Sequence, residues 1–299
     1  MGQLQGAVLR QRAKARLMVR RNTRWMDQPP TVRARTGVLM VLGVYLAYWG
    51  HGVFNAGWAL TGIHPRSVQE WPRAISNVLQ TWGTTGLLLA VIAAGLHLVG
   101  ARQAVPLPRD RAGWIAELQA GRWFLLWLVA GTAVMATTAA VLGQQAAYPM
   151  AEHLLPADRF VTVLDSVSGA VEEPFFLAFT VVVLRRAGFG WPAVVGTSIG
   201  LRWAFHIYYG LPSVGLVVWA GGAVLVYRLT GRIIGVLLAH LLWDTMAAGF
   251  LVGWQPVGVT CGVLLLAVLI LPALRGGPIR GLHRSGRSDR GGRRRLVDR

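Results

Sequence analysis

Between residues 165 and 244 an otherwise apolar sequence carries Asp165, the adjacent pair Glu172 and Glu173, Arg202 with His206, and His240 with Asp244. Residues four apart on a helix share a face, with Cβ atoms about 5 to 6 Å apart, so Arg202 is expected beside His206 and His240 beside Asp244. Adjacent positions diverge by about 100° around a helix. One glutamate of the pair can therefore enter a site while the other meets a neighbouring helix. Carboxylates and imidazoles gathered in a low-dielectric bundle are the parts of a water-activating hydrolytic site. A buried glutamate can act as base toward water near neutral pH, and imidazoles can orient that water or donate to a developing oxyanion. Two alternatives use the same residues. Glu172, His206, His240 and Asp244 match an N/O metal site with an open water position, and a buried salt bridge from the glutamates to Arg202 would simply fix helix register.

What must position these residues is a membrane bundle. The 299-residue chain is 54% hydrophobic and only 14% charged, with a mean hydropathy of +0.47, too apolar for a soluble domain of this size. A hydrocarbon core about 30 Å thick takes roughly 20 apolar residues of helix. That ruler gives about eight spanning helices, near 37–58, 78–100, 122–143, 160–184, 190–209, 213–229, 232–252 and 257–274. The fold class is thus all-α, a polytopic transmembrane helix bundle. The charged residues of interest fall on the fourth, fifth and seventh spans, where an ionised side chain costs at least about 2.5 to 3.5 kcal/mol and asks for a partner, a cavity or a function.

The net charge of +18 is not a nucleic-acid signature, because its cations sit in the two tails and in short loops beside apolar runs. Nine fall in residues 1–36 and nine in 275–299, Arg102, Arg109, Arg111, Arg185 and Arg186 lie between spans, and Arg228 and Arg232 lie at the facing ends of two spans. Cations flanking spans stay on the cytoplasmic side, so both termini are expected to be cytoplasmic. The loop holding Glu152, His153 and Asp158 then lies outside. Residues 1–36 form a basic tail, 37–275 the transmembrane domain, and 276–299 an Arg/Gly-rich tail expected to be disordered. Arg outnumbers Lys 29 to 1, a usage that hints at a bacterial source and hence a multi-pass protein of the bacterial plasma membrane. The single cysteine, Cys261, reads as packing, and Gly196 with Gly200 reads as a small-residue pair for close helix packing.

Three segments, Glu172-Glu173-Pro174-Phe175-Phe176, Arg202-Trp203-Ala204-Phe205-His206 and His240-Leu241-Leu242-Trp243-Asp244, resemble in order and spacing the motifs of the CAAX protease and bacteriocin-processing (CPBP) family of intramembrane glutamate-dependent endopeptidases. The resemblance covers roughly residues 160–252. It implies that Glu172 is the general base, that His206 helps hold the water, and that His240 and Asp244 stabilise the oxyanion, with Glu173 supporting. It implies a membrane-associated peptide or protein as substrate and no cofactor. The family often has Arg four residues after the second glutamate, where this chain has Leu177; Arg202 is expected to supply that cation. Asp244 cannot donate a hydrogen bond while ionised, so it must be protonated, orient His240 or bind a metal. Asp165, two turns before Glu172, is expected on the same face as a supporting or water-path residue. The main alternative from another class is a catalytically silent scaffold or small-solute carrier whose polar residues line a cavity.

Overall fold

The computed structural model describes residues 26, 28–60, 71–143, 156–169 and 171–274. The basic segment through residue 25, Glu152 and His153, and the Arg/Gly-rich tail 276–299 lie outside the described residues. Every regular element among the described residues is helical. The principal helices are α1 (Ala34–Leu60), α2 (Trp71–Leu98), α3 (Arg111–Leu142), α4 (Pro156–Gly169), α5 (Thr180–Arg186), α6 (Trp191–Ala204), α7 (Val214–Thr230), α8 (Ile234–Leu251) and α9 (Gln255–Leu274). Five of them, α1, α2, α3, α7 and α8, carry stretches long and apolar enough to cross a membrane; the apolar stretch of α9 is shorter.

The distribution of polarity is inverted relative to a water-soluble protein. Leu79, Leu87 and Val263 are at least 60% exposed, whereas Glu117, Glu173 and Arg202 are at most 1% exposed. Apolar side chains face outward because lipid, not water, is the solvent, and the charges turn inward to partners. On α1 the inward stripe is Val41, Tyr45 and Trp49, buried at a spacing of four.

The bundle closes where small residues let backbones touch. α3 runs along α7 and α8, and a Cβ on Gly235 would stand 1.7 Å from the Glu117 carbonyl oxygen. Gly131 meets Gly215 in the same way, and Trp127 covers Gly222. Close approach of this kind is what drives helix association in lipid. The pair expected to do it, Gly196 and Gly200, would each carry a Cβ with nothing within 4 Å of it, so the packing glycines are elsewhere.

Two predicted spans are shaped differently. The fourth is not one helix: α4 stops at Gly169, and helix resumes at Glu172, passing through a π-helical stretch Pro174–Phe179 into α5. Two acids and a proline at the restart explain it, since acidic side chains favour a helix N-terminus and proline has no N–H to leave unpaired there. The fifth ends at Ala204, five residues before its predicted end, and continues as short 3-10 turns at Ile207–Tyr209 and Leu211–Ser213.

Candidate functional site

Glu172 and Glu173 open the resumed helix in the middle of the bundle. The π-helical turn that follows widens the backbone, a geometry that recurs at functional sites. The Ser198 hydroxyl of α6 donates to the Phe176 carbonyl at 3.1 Å and so satisfies an acceptor within the widened stretch.

The two glutamates divide as their angular separation predicts. Glu173 is fully buried, its Oε1 lying 3.0 Å from Arg202 Nη2 and 2.9 Å from His240 Nδ1. Glu172 keeps 11% side-chain exposure and approaches Arg202 Nε only at 3.7 Å. Arg202 Cζ itself lies over two aromatic rings, 4.6 Å from the Phe176 centroid and 4.5 Å from that of Trp219. The guanidinium thus lies against two aromatic rings and within ion-pair distance of both glutamates. Arg202 thus occupies the position of cation partner to the pair, with Leu177 wholly buried among apolar neighbours.

His240 is held in the same aromatic frame, 5.4 Å from Trp219 and 5.7 Å from Phe124. Its second nitrogen, Nε2, lies 3.3 Å from Asp244 Oδ2 across one helical turn of α8. Both ring nitrogens therefore face carboxyl oxygens. A neutral imidazole has one N–H only, so both contacts hold together when the cluster carries an additional proton, on the imidazole or on a carboxyl. Charge balance requires the same: three carboxyl groups surround one guanidinium in a medium that penalises uncompensated charge. Asp244 retains 30% side-chain exposure and sits against the break after α4, where a Cβ on Gly169 would come within 2.9 Å of its Oδ2.

His206 is placed differently from its predicted position. Because α6 ends at Ala204, His206 lies in the turn beyond it and shares no helical face with Arg202. Its Nδ1 donates to the Arg202 carbonyl at 3.0 Å, which fixes the proton on Nδ1 because a carbonyl only accepts, and the ring stacks on Tyr209 at 6.0 Å. His206 borders the cluster through Arg202. Asp165 precedes Glu172, with Val171 in a turn between them. It stands on α4 and hydrogen-bonds Thr81 of α2.

Several residues of the site carried no signal in the sequence reading. Trp219 packs against both Arg202 and His240, and Tyr45 donates to the Leu201 carbonyl at 2.7 Å, tying α1 to the turn of α6 that holds Arg202. Glu117 of α3 accepts from the Gly235 N–H at 3.0 Å and pairs with Arg232 at 3.3 Å, so it caps the start of the helix bearing His240 and Asp244. Among the described residues no group of three or more His, Cys, Asp or Glu side chains is arranged to hold a metal ion. Compared with known proteins, the chain matches no family model, no curated protein and no solved structure.

Proposed function

We propose that this chain is an intramembrane endopeptidase of the CPBP type, hydrolysing a peptide bond of a membrane-associated peptide or protein with water activated by Glu172. The observation that carries the reading is the asymmetry of the glutamate pair. Glu173 is sealed between Arg202 and His240, whereas Glu172 is loosely held and keeps exposure. A base must exchange protons with water, so the less enclosed member is the one suited to act. His240 and Asp244 share a proton at the same cluster and can return it to the leaving amine or to the oxyanion. His206 has its Nε2 lone pair available to accept from water, since Nδ1 is committed to a carbonyl. No cofactor enters this scheme.

The topology that accompanies this reading has eight crossings with both termini cytoplasmic, in a bacterial plasma membrane. The fourth crossing is the broken pair α4 and α5, and the fifth is α6. At 14 residues α6 measures roughly 21 Å, short of the hydrocarbon thickness, and the 3-10 turns after it complete the depth.

The test is a cleavage assay on membranes containing Glu172→Gln and, separately, Glu173→Gln. Glu172→Gln is expected to accumulate and fold normally yet lose cleavage; Glu173→Gln is expected to lose stability as well, because Arg202 and His240 then lack their common anion. Normal cleavage by folded Glu172→Gln sinks the proposal. A second reading has one observation in its favour: both His240 nitrogens and Arg202 already lie within ion-pair distance of carboxylates. Such mutual pairing suits a silent scaffold or solute carrier whose ion network fixes helix register, and on that reading neither variant changes any cleavage.

A further inference from the structure

Phe124, Phe176 and Trp219 pack against the cluster, and Asp244, its most exposed member, lies against the end of α4 at Gly169. α4 differs from the other helices. It places Asp158, Thr162, Asp165 and Gly169 at spacings of four, three and four, one continuous helical face, and Ser166 beside them. The face ends at Gly169, directly against Asp244 Oδ2. Ala157 and Val161 on one flank of this face and Val163 on the other are buried.

Other helices extend this polar face on both flanks. α2 packs on α4 and presents Asn77, Thr81 and Thr85 at a spacing of four, each half-buried. Thr81 bonds Asp165, and Thr85 bonds the Tyr48 hydroxyl of α1 at 2.9 Å. Tyr48 is near enough to interact electrostatically with both Asp165 and Glu172, which makes it the link between α4 and the site. On the other flank the Ser166 hydroxyl reaches Thr245 of α8, next to Asp244, at 3.5 Å. Thr162 and Ser166 donate their hydroxyl protons to carbonyls one turn back, at 2.8 and 2.6 Å, and their oxygens keep lone pairs for water.

From this geometry we infer that the α4 face, flanked by Thr81, Thr85 and Tyr48, is the water-entry lane of the site, with Asp165 as the positioning residue that orders water on its way to Glu172. The inference rests on the hydrolase reading above. A lane is required on physical grounds: hydrolysis consumes one water per bond cleaved, and the aromatic rings and outward leucines offer water no polar partner. Asp165 touches no reacting atom in this scheme; it acts through the hydroxyls beside it.

Water in the lane can be measured without any cleavage. Cys261 is the only cysteine, so a Cys261→Ser background carries Thr162→Cys, Ser166→Cys, Thr81→Cys and, as a lipid-facing control, Leu79→Cys one at a time. These exchanges are small enough to leave folding intact. A charged, membrane-impermeant methanethiosulfonate reacts with thiolates, which form where water reaches, so the three lane positions are expected to react at least about tenfold faster than Leu79→Cys. Equal slow labelling at all four positions overturns the inference. In the cleavage assay Asp165→Asn is expected to lower kcat at unchanged KM and Asp165→Glu to restore it; parental kcat in Asp165→Asn overturns the role given to Asp165. Fast labelling in a chain that cleaves nothing upholds the wet lane and instead refutes the hydrolase.

Discussion

Replacing Arg202 by methionine tests the central piece of the site. The guanidinium is 1% exposed, bracketed by two rings, and forms ion pairs with Glu173 at 3.0 Å and Glu172 at 3.7 Å. Methionine retains a long stem that can lie between Phe176 and Trp219 but removes the charge, which leaves Glu173 at zero exposure with His240 as its sole partner. Breaking one side of a buried pair costs about 3 to 5 kcal/mol. Stacking of the cation on desolvated rings contributes about 2 kcal/mol more, but it resides in the same group and overlaps with the pairing. A net loss near 4 kcal/mol corresponds to about a thousandfold shift of the unfolding equilibrium. The shift is measurable by graded denaturation of the purified chain in mild detergent, followed by the fluorescence of its 13 tryptophans. Adding Glu173→Gln to Arg202→Met removes the stranded anion, so the double variant should be more stable than the summed single losses by about 1 to 3 kcal/mol. Parental stability of Arg202→Met, or strict additivity of the pair, would refute the claim that this ion pair holds the bundle together.

Three further outcomes follow from other contacts. Glu117→Gln weakens the cap on α8 and its pair with Arg232, and it should cost about 1 to 2 kcal/mol in the same denaturation assay. Gly235→Ala forces α3 away from α8 because its Cβ has no room beside the Glu117 carbonyl, and it should be destabilised strongly, whereas Gly196→Ala meets open space and should be neutral or stabilised by up to about 1 kcal/mol. Ser198→Ala strips the Phe176 carbonyl of its donor beside the π-helical turn and should cost about 1 to 3 kcal/mol.

The helical class and the membrane setting were legible in hydropathy alone, because long apolar runs have no other stable use. The break before Glu172 was not, since Ser168-Gly169-Ala170-Val171 continues the apolar composition. Its signal was the restart, two acids followed by proline, which reads as a helix N-terminus once length is not imposed. The same ruler placed His206 inside a helix, although Gly210 and Pro212 mark a turn just beyond it. It also began the third span at residue 122 and so passed over Glu117. Asp110 gives the true start of α3, its side chain accepting from Gly113 N–H at 2.7 Å. Trp219 was beyond reach for a different reason. Its contacts with Arg202 and His240 are tertiary, and nothing local distinguishes it from the other tryptophans.

The site is built in two layers, and the distinction follows from burial rather than from residue type. Glu173, Arg202 and His240 form an inner layer framed by Phe124, Phe176 and Trp219, each group at 4% exposure or less. Charges so enclosed cannot reorganise cheaply, and they fix the relative positions of α5, α6 and α8. Glu172 and Asp244 form the outer layer, one residue from Glu173 along the chain and one helical turn from His240, and both keep exposure. Each outer carboxyl is thereby coupled to a rigid inner partner while less enclosed than that partner. A network built only to fix register has no need of the outer pair, because the inner ion pairs already join the three helices.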